Sequence, residues 1–310
     1  MILRGFRHQP GTHCGSTALR DALAYRGLEV SEPFAFGLGG GLGFSLVEDD
    51  GRSPTLRLNG RRPGLEETAF AALGQRFSWA RRWDPDAIRA QLDAGHPVIA
   101  VTDLGELPHY DGVHFPAHTV LVVGYEGEDF LLADTAFEDL QRVPESTLER
   151  ALDALIEPYP TRYHWASVPS FDAAAASPDL GQALAATRDW MLQPPGELAG
   201  VAGIERLART IARWPERPDW VWACRFAYQS LEKRGTGRGG FRFIYADFLD
   251  EIGRPGAAAG YRRCGALWTS VSAAIKEAFI DENPAALAAA ARPLARLVDA
   301  EAHAAGLLRT

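Results

Sequence analysis

The chain has 310 residues, 46% of them hydrophobic and 23% charged, with eight tryptophans, fifteen phenylalanines and three cysteines. That is enough apolar side chain for a sizeable core or two domains, it argues against disorder, and three cysteines are too few for a disulfide-built secreted scaffold. Forty Asp+Glu against 32 Lys+Arg leave a formal net charge of −8, which repels phosphate backbones and argues against nonspecific nucleic-acid binding.

The opening MILRGFRHQPG has no apolar stretch long enough for a signal peptide, and no later run approaches the roughly 18 apolar residues of a membrane span. A soluble, cytoplasmic protein is the expectation. In STALRDALAYRG (16–27), Ala18, Leu19, Ala22 and Leu23 share one helical face, Ser16 or Thr17 is a candidate cap and Gly27 a stop. PDAIRAQLDAG (85–95) reads as a short helix with Asp84 as cap, Pro85 in its first turn and Gly95 at its end. It feeds PVIAVTDL, whose unbroken apolar run Val98 to Val101 predicts a strand buried on both faces. HTVLVVGYE (118–126) and DFLLADT (129–135) follow as antiparallel neighbours turned at Gly127. The proline-bearing EPYPTRYHWASVPS (157–170) has no sustained period and suggests a boundary near residue 165. Beyond it, helical patterns cover 179–192, 197–213, 219–234, 241–252, 265–280 and 284–306, and the alanine clusters at 173–176 and 257–259 are also consistent with helix. The expected organisation is an α+β domain over 1–165 and a mainly helical domain over 166–310.

Cys14 stands in QPGTHCGSTALRDAL, after a Pro-Gly turn and just before the first helix. Backbone N–H groups and the positive helix end beside its sulfur favour thiolate over thiol, which makes a nucleophile of a weak acid. Such a nucleophile needs a base and a group that orients the base. His118 begins one strand and Asp134 closes the next, so a tight turn between them brings both to one end of the sheet, with Asp134 on one imidazole nitrogen and Cys14 facing the other.

Gln9, His13-Cys14-Gly15, PVIAV, AHTVLVVGYE and LLADT together resemble the papain-like cysteine peptidase fold in its bacteriocin-leader-peptidase variety. HCGSTALRDAL, FGLGGGLGF, PVIAVTDL and AHTVLVVGYE resemble more closely the N-terminal domain of the butirosin biosynthesis protein H family. YRRCGALWTSVSAAIKEAF (261–279) resembles the uncharacterised domain that often follows it. The resemblance implies a Cys14, His118, Asp134 triad, with Gln9 as an oxyanion-hole donor. It also implies transfer of an acyl group from a carrier-protein thioester, carried on phosphopantetheine, to a small-molecule amine in natural-product assembly. A cysteine peptidase or thioester hydrolase is the alternative chemistry of the same residues, and a non-catalytic scaffold the alternative class. No bound cofactor, nucleic acid or membrane is expected as a partner.

Other signals have plainer readings beside functional ones. FGLGGGLGF lacks GxxxxGK[ST], so Gly39, Gly40, Gly41 and Phe44 are candidates for a tight turn or a substrate-cleft lining, not a phosphate loop. His109, His114 and His118 have metal-like spacing, but Pro116 interrupts any shared helical face and HExxH is absent, so no metal is expected. His109 and His114 are then cleft-rim candidates, and His13 a neighbour that tunes Cys14. Cys224 and Cys264 sit in aromatic helical patterns and read as core. Arg262, Arg263 and KRGTGRGG (233–240) read as solvated surface or as contacts for an acidic carrier protein.

Overall fold

Capping chemistry sets where the first helix begins. His13 is extended (ψ 126°) and its Nδ1 accepts from the Ser16 N–H at 3.2 Å, so the helix starts at Cys14, earlier than the apolar spacing alone predicts, and the cap is His13 and not Ser16 or Thr17. The computed structural model describes residues 1–110, 112, 114–115, 117–155 and 162–309. In chain order the elements are α1 (Cys14–Tyr25), α2 (Glu32–Leu38), β1 (Leu42–Glu48), β2 (Leu56–Arg61), α3 (Leu65–Ala72), β3 (Ala80–Arg81), α4 (Pro85–Asp93) and β4 (Val98–Thr102). Then come β5 (His118–Glu126), β6 (Asp129–Ala133), β7 (Gln141–Pro144), α5 (Glu145–Leu152) and β8 (His164–Ser167). The helices α6 (Leu180–Leu192), α7 (Gly200–Thr210), α8 (Trp220–Glu232), α9 (Arg242–Glu251), α10 (Pro255–Ile280) and α11 (Pro284–Gly306) complete the order.

Two compact units form, each discontinuous in sequence: 1–35 with 73–178, and 36–72 with 179–310. This differs from a linear division near residue 165. Strand β8 lies within the first unit's sheet, and the β1–β2 hairpin packs with helices of the second, as where Phe44 stacks on Trp268 at 5.3 Å. Residues 157–161 of the expected linker lie outside the described residues. The class is the expected one, α+β with a mainly helical second unit.

In the first unit six antiparallel strands lie in the order β3-β8-β4-β5-β6-β7. Strand β4 is buried along its whole length, as its unbroken apolar run predicts. Helix α1 packs against β5, burying Leu19, Ala22 and Leu23 completely beside Val120 to Val123. At about 25 cal/mol per Å² of apolar area removed from water, each such leucine contributes roughly 2 kcal/mol. Asp84 caps α4 by accepting from the Ala87 N–H at 3.0 Å, with Pro85 in its first turn.

In the second unit α10 packs against α8, α9 and α11. It starts at Pro255, earlier than residue 265, and takes in the alanine cluster at 257–259. The cluster at 173–176, in the first unit, is not helical: Asp172 holds it in a turn by accepting from the Ala174 N–H at 3.0 Å. Inside the helical unit the buried Arg242 guanidinium donates to Glu301 (2.7 Å) and to the carbonyls of Gly60 (2.9 Å) and Gly240 (2.6 Å), and the Trp268 indole donates to the same Glu301 oxygen at 2.8 Å. These donors compensate a carboxylate that would otherwise be costly to bury.

Candidate active site

Strand register brings His118 and Asp134 together. Leu121 pairs with Ala133, so continuing the ladder sets Asp134 opposite Val120, and His118, two residues before Val120, emerges on the same face. The chain enters β5 through Ala117 in the left-handed region (φ 63°). His118 Nε2 donates to Asp134, 3.0 Å from Oδ1 and 3.1 Å from Oδ2, and both side chains are buried. His118 is also hydrogen-bonded to Cys14, the half-buried first residue of α1, with Nδ1 left to face the sulfur. The three residues expected as a triad therefore meet.

Burial by itself lowers the His118 pKa, but the hydrogen bonds to Asp134 and Cys14 and the charges of both outweigh it and raise it from 6.5 to about 10. Burial likewise opposes ionisation of Asp134, yet donors from His109, His118 and Tyr110 and the charge on His118 hold it well below the usual carboxylate range. The stabilisation from His118 is therefore complete below pH 6.5 and lost as pH rises through about 10. The thermal unfolding midpoint of the native chain is expected to fall more over that interval than that of His118→Gln; parallel curves would refute the coupling.

Asp134 collects more donors than strand positions alone reveal. His109 Nε2 lies 2.9 Å from Oδ2 and the Tyr110 hydroxyl donates to Oδ1 at 3.0 Å, so His109 is a buried support of the carboxylate and not a cleft rim. Burial, then the Asp134 charge, push the Tyr110 phenol well above its usual pKa, which keeps it a donor. The adjacency of His109 and Tyr110, two donors in one loop, was the available sequence signal.

A second buried pair secures the segment that leaves β6 at Asp134. His8 Nδ1 lies 2.6 Å from Asp21, while Nε2 lies 2.9 Å from the Phe137 carbonyl and 3.1 Å from that of Asp134. Acceptors at both nitrogens require the imidazolium. Burial lowers the His8 pKa, but the Asp21 hydrogen bond and charge, with the two carbonyls, raise it overall. Arg20 pairs with Asp21 at 2.7 Å and donates to the carbonyls of Gln9 and Pro10, tying that segment to α1. His8→Leu leaves these acceptors short of a donor. It is expected to cost about 1–3 kcal/mol in urea denaturation, and an unchanged midpoint would show the bridge contributes nothing.

Glu32 pins the approach to Cys14 by accepting from the backbone N–H of Thr12 (2.9 Å) and of His13 (2.7 Å) and from Ser16 Oγ (3.1 Å). A Cβ at Gly11 would sit 2.0 Å from Thr17 Oγ1 and 2.9 Å from Glu32, so that close approach requires glycine. His13 serves as the helix cap. Gln9 is exposed, its carbonyl held by Arg20.

His114 stands apart from the triad's carboxylate, on Asp103 at 2.6 Å. Asp103, Glu106 and His114 are the one group among the described residues whose ligand atoms approach within 4.8 Å of one another. Its acids already have partners: Arg150 on Glu106 at 3.3 Å, and the Phe115 N–H (2.9 Å) and Gly105 N–H (3.2 Å) on Asp103. The interruption expected at Pro116 lies outside the described residues. Gly39, Gly40, Gly41 and Phe44 belong to the second unit, where Gly40 turns the chain with φ 54° and Phe44 is fully buried. Cys224 and Cys264 are buried there too, and Arg262 pairs with Asp247 and Asp250.

The family model described as butirosin biosynthesis protein H, N-terminal, matches residues 13–135, and that of a domain of unknown function (DUF4872) matches residues 146–308. A crystal structure of a Bacillus anthracis protein described as a C39-like peptidase aligns at 18% identity over 54% of this chain and 96% of its own, with a TM-score of 0.38. No curated protein matches the chain. Among the described residues no helix is long and apolar enough to cross a membrane. The chain belongs to the butirosin biosynthesis protein H-like family, with that family's N-terminal domain followed by a second, uncharacterised domain.

Proposed function

We propose that the protein is a cysteine-dependent acyltransferase of papain-like type that takes an acyl group from a carrier-protein thioester and passes it to an amine, in natural-product biosynthesis. The observation that carries this reading is the hydrogen-bonded line from Cys14 to His118 to a deeply ionised Asp134. The family's description, which names a biosynthetic protein, supports the assignment to biosynthesis. The Cys14 thiolate attacks the thioester carbonyl, and Gln9 with the Cys14 backbone N–H receives the developing oxyanion. Collapse expels the carrier thiolate, which takes the proton from the His118 imidazolium. The neutral imidazole then accepts a proton from the amine as its nitrogen attacks the acyl-enzyme, and expulsion of Cys14 restores the thiolate–imidazolium pair.

Water in place of the amine would give hydrolysis, so the acceptor decides the reaction class. Purified protein incubated with acyl-thioesters, with and without amines, is expected to show an acyl adduct on Cys14 by intact mass and amide in excess over free acid. Acid alone with every amine assigns a hydrolase instead. Turnover with Cys14 unmodified at all quench times removes the covalent route.

A further inference from the structure

The chain contains only two lysines, Lys233 and Lys276, among its 32 basic residues, and both line one cavity of about 250 Å³ in the second unit. Lys233 follows the last residue of α8 and Lys276 lies in α10, so helix packing, not sequence proximity, brings them together. Lys276 Nζ stands over the Tyr228 ring, 5.7 Å from its centroid. Glu232 is the one acid in the lining, and its charge is already met: Gly239 N–H and Thr269 Oγ1 donate to one oxygen at 3.3 Å, and Arg238 Nε lies 3.8 Å from the other. Neither lysine has a carboxylate partner among the described residues. Ser272, also in the lining, is 1% exposed and its Oγ has no hydrogen-bond partner among the described residues.

We propose that this cavity binds the phosphoryl group of an organic phosphate, with Lys233 and Lys276 supplying charge, Ser272 donating to a phosphoryl oxygen, and the Tyr228 ring flanking the attached group. Two compact ammonium groups and a hydroxyl from separate turns suit a tetrahedral anion, whereas a planar carboxylate is better met by the fork of one arginine. The volume is below the roughly 300–1,000 Å³ of pockets that hold drug-sized molecules, so the phosphoryl end with a short extension fits and a whole dinucleotide does not. Of the basic run at 233–240, which sequence alone leaves between solvated surface and contact with an acidic carrier protein, Lys233 and Arg238 line this cavity. It is independent of the chemistry at Cys14.

The scarcity of lysine makes the test direct, because Lys233, Lys276 and the chain's α-amine are its only amines, and acylation of each is read at its own peptide apart from any at Cys14. Inorganic phosphate and 4′-phosphopantetheine, at millimolar concentration and matched ionic strength, are each used to protect the full-length protein, and acetylation at each site is followed by peptide mass. Both lysines are expected to react about tenfold more slowly with bound phosphate while the α-amine is unaffected, and Lys276→Met is expected to weaken protection of Lys233 about tenfold in concentration. Protection by 4′-phosphopantetheine at lower concentration than by inorganic phosphate identifies an esterified ligand; equal concentrations identify free phosphate at the same site. Unprotected lysines, equal protection by chloride, or protection of Lys233 unchanged in folded Lys276→Met would overturn the proposal.

Discussion

Cys14→Ala is expected to lower acyl transfer by at least about 10⁴-fold, the scale of losing a covalent nucleophile while binding and oxyanion contacts remain. Cys14 begins a helix and is hydrogen-bonded to His118, whereas burial pushes Cys224 up to about 12 and pushes Cys264 up as well. A limiting amount of iodoacetamide at mildly acidic pH is therefore expected to label Cys14 alone, and labelling to parallel loss of activity. The variant is expected to retain the native fold by circular dichroism. Full activity in Cys14→Ala would end the enzyme assignment, and labelling that develops only at alkaline pH would end the ion-pair description.

Asp134→Asn is expected to be nearly as severe in kcat, about 10⁴-fold, and also to lower stability by about 1–3 kcal/mol. The physical reason lies in donor arithmetic. Asp134 accepts from His109, Tyr110 and His118, and a carboxylate has acceptor sites on both oxygens. Asparagine exchanges one oxygen for an NH₂ group, which must then meet a donor in a buried site. His118 loses the charge that orients it as the amide forces a rearrangement of the other two donors. Steady-state kinetics and urea denaturation on one preparation separate the effects. A stability loss with kcat intact would make Asp134 structural only, and a kcat loss at unchanged stability would show that the donors rearrange without cost.

Much of the site was legible because its key relations are local. His118 and Asp134 sit at the end of one hairpin, so alternation of side chains and a tight turn suffice to put them on one face. Cys14 opens a regular amphipathic helix whose start and cap lie earlier than the apolar spacing predicts, because a histidine ring rather than a serine or threonine hydroxyl satisfies a free N–H of the first turn. The sequence places His109 on the cleft rim because it lies in a loop and its metal-like spacing is interrupted, while its actual partner is a carboxylate 25 residues away. His8 and Glu32 carried no readable signal. Their partners are the carbonyls of a remote loop and backbone N–H groups, which no residue-type pattern marks.

The sequence by itself determined the α+β character of the first unit, the buried strand at 98–102, the helical remainder and the three residues that meet at the candidate site. Apart from the approach of Cys14 to His118, which the family resemblance implies, each follows from a period of 2 or 3.6 residues, or from a turn of a few residues, and such information is complete within a short window. Only the tertiary structure decided that residues 36–72 join the helical unit, that three donors converge on Asp134, that His8 clamps the loop behind it, and that the chain's two lysines share a cavity. Those outcomes depend on which apolar faces pack against one another. Packing chooses among partners distant in the chain by shape and burial, and neither is written in the spacing of residues along it.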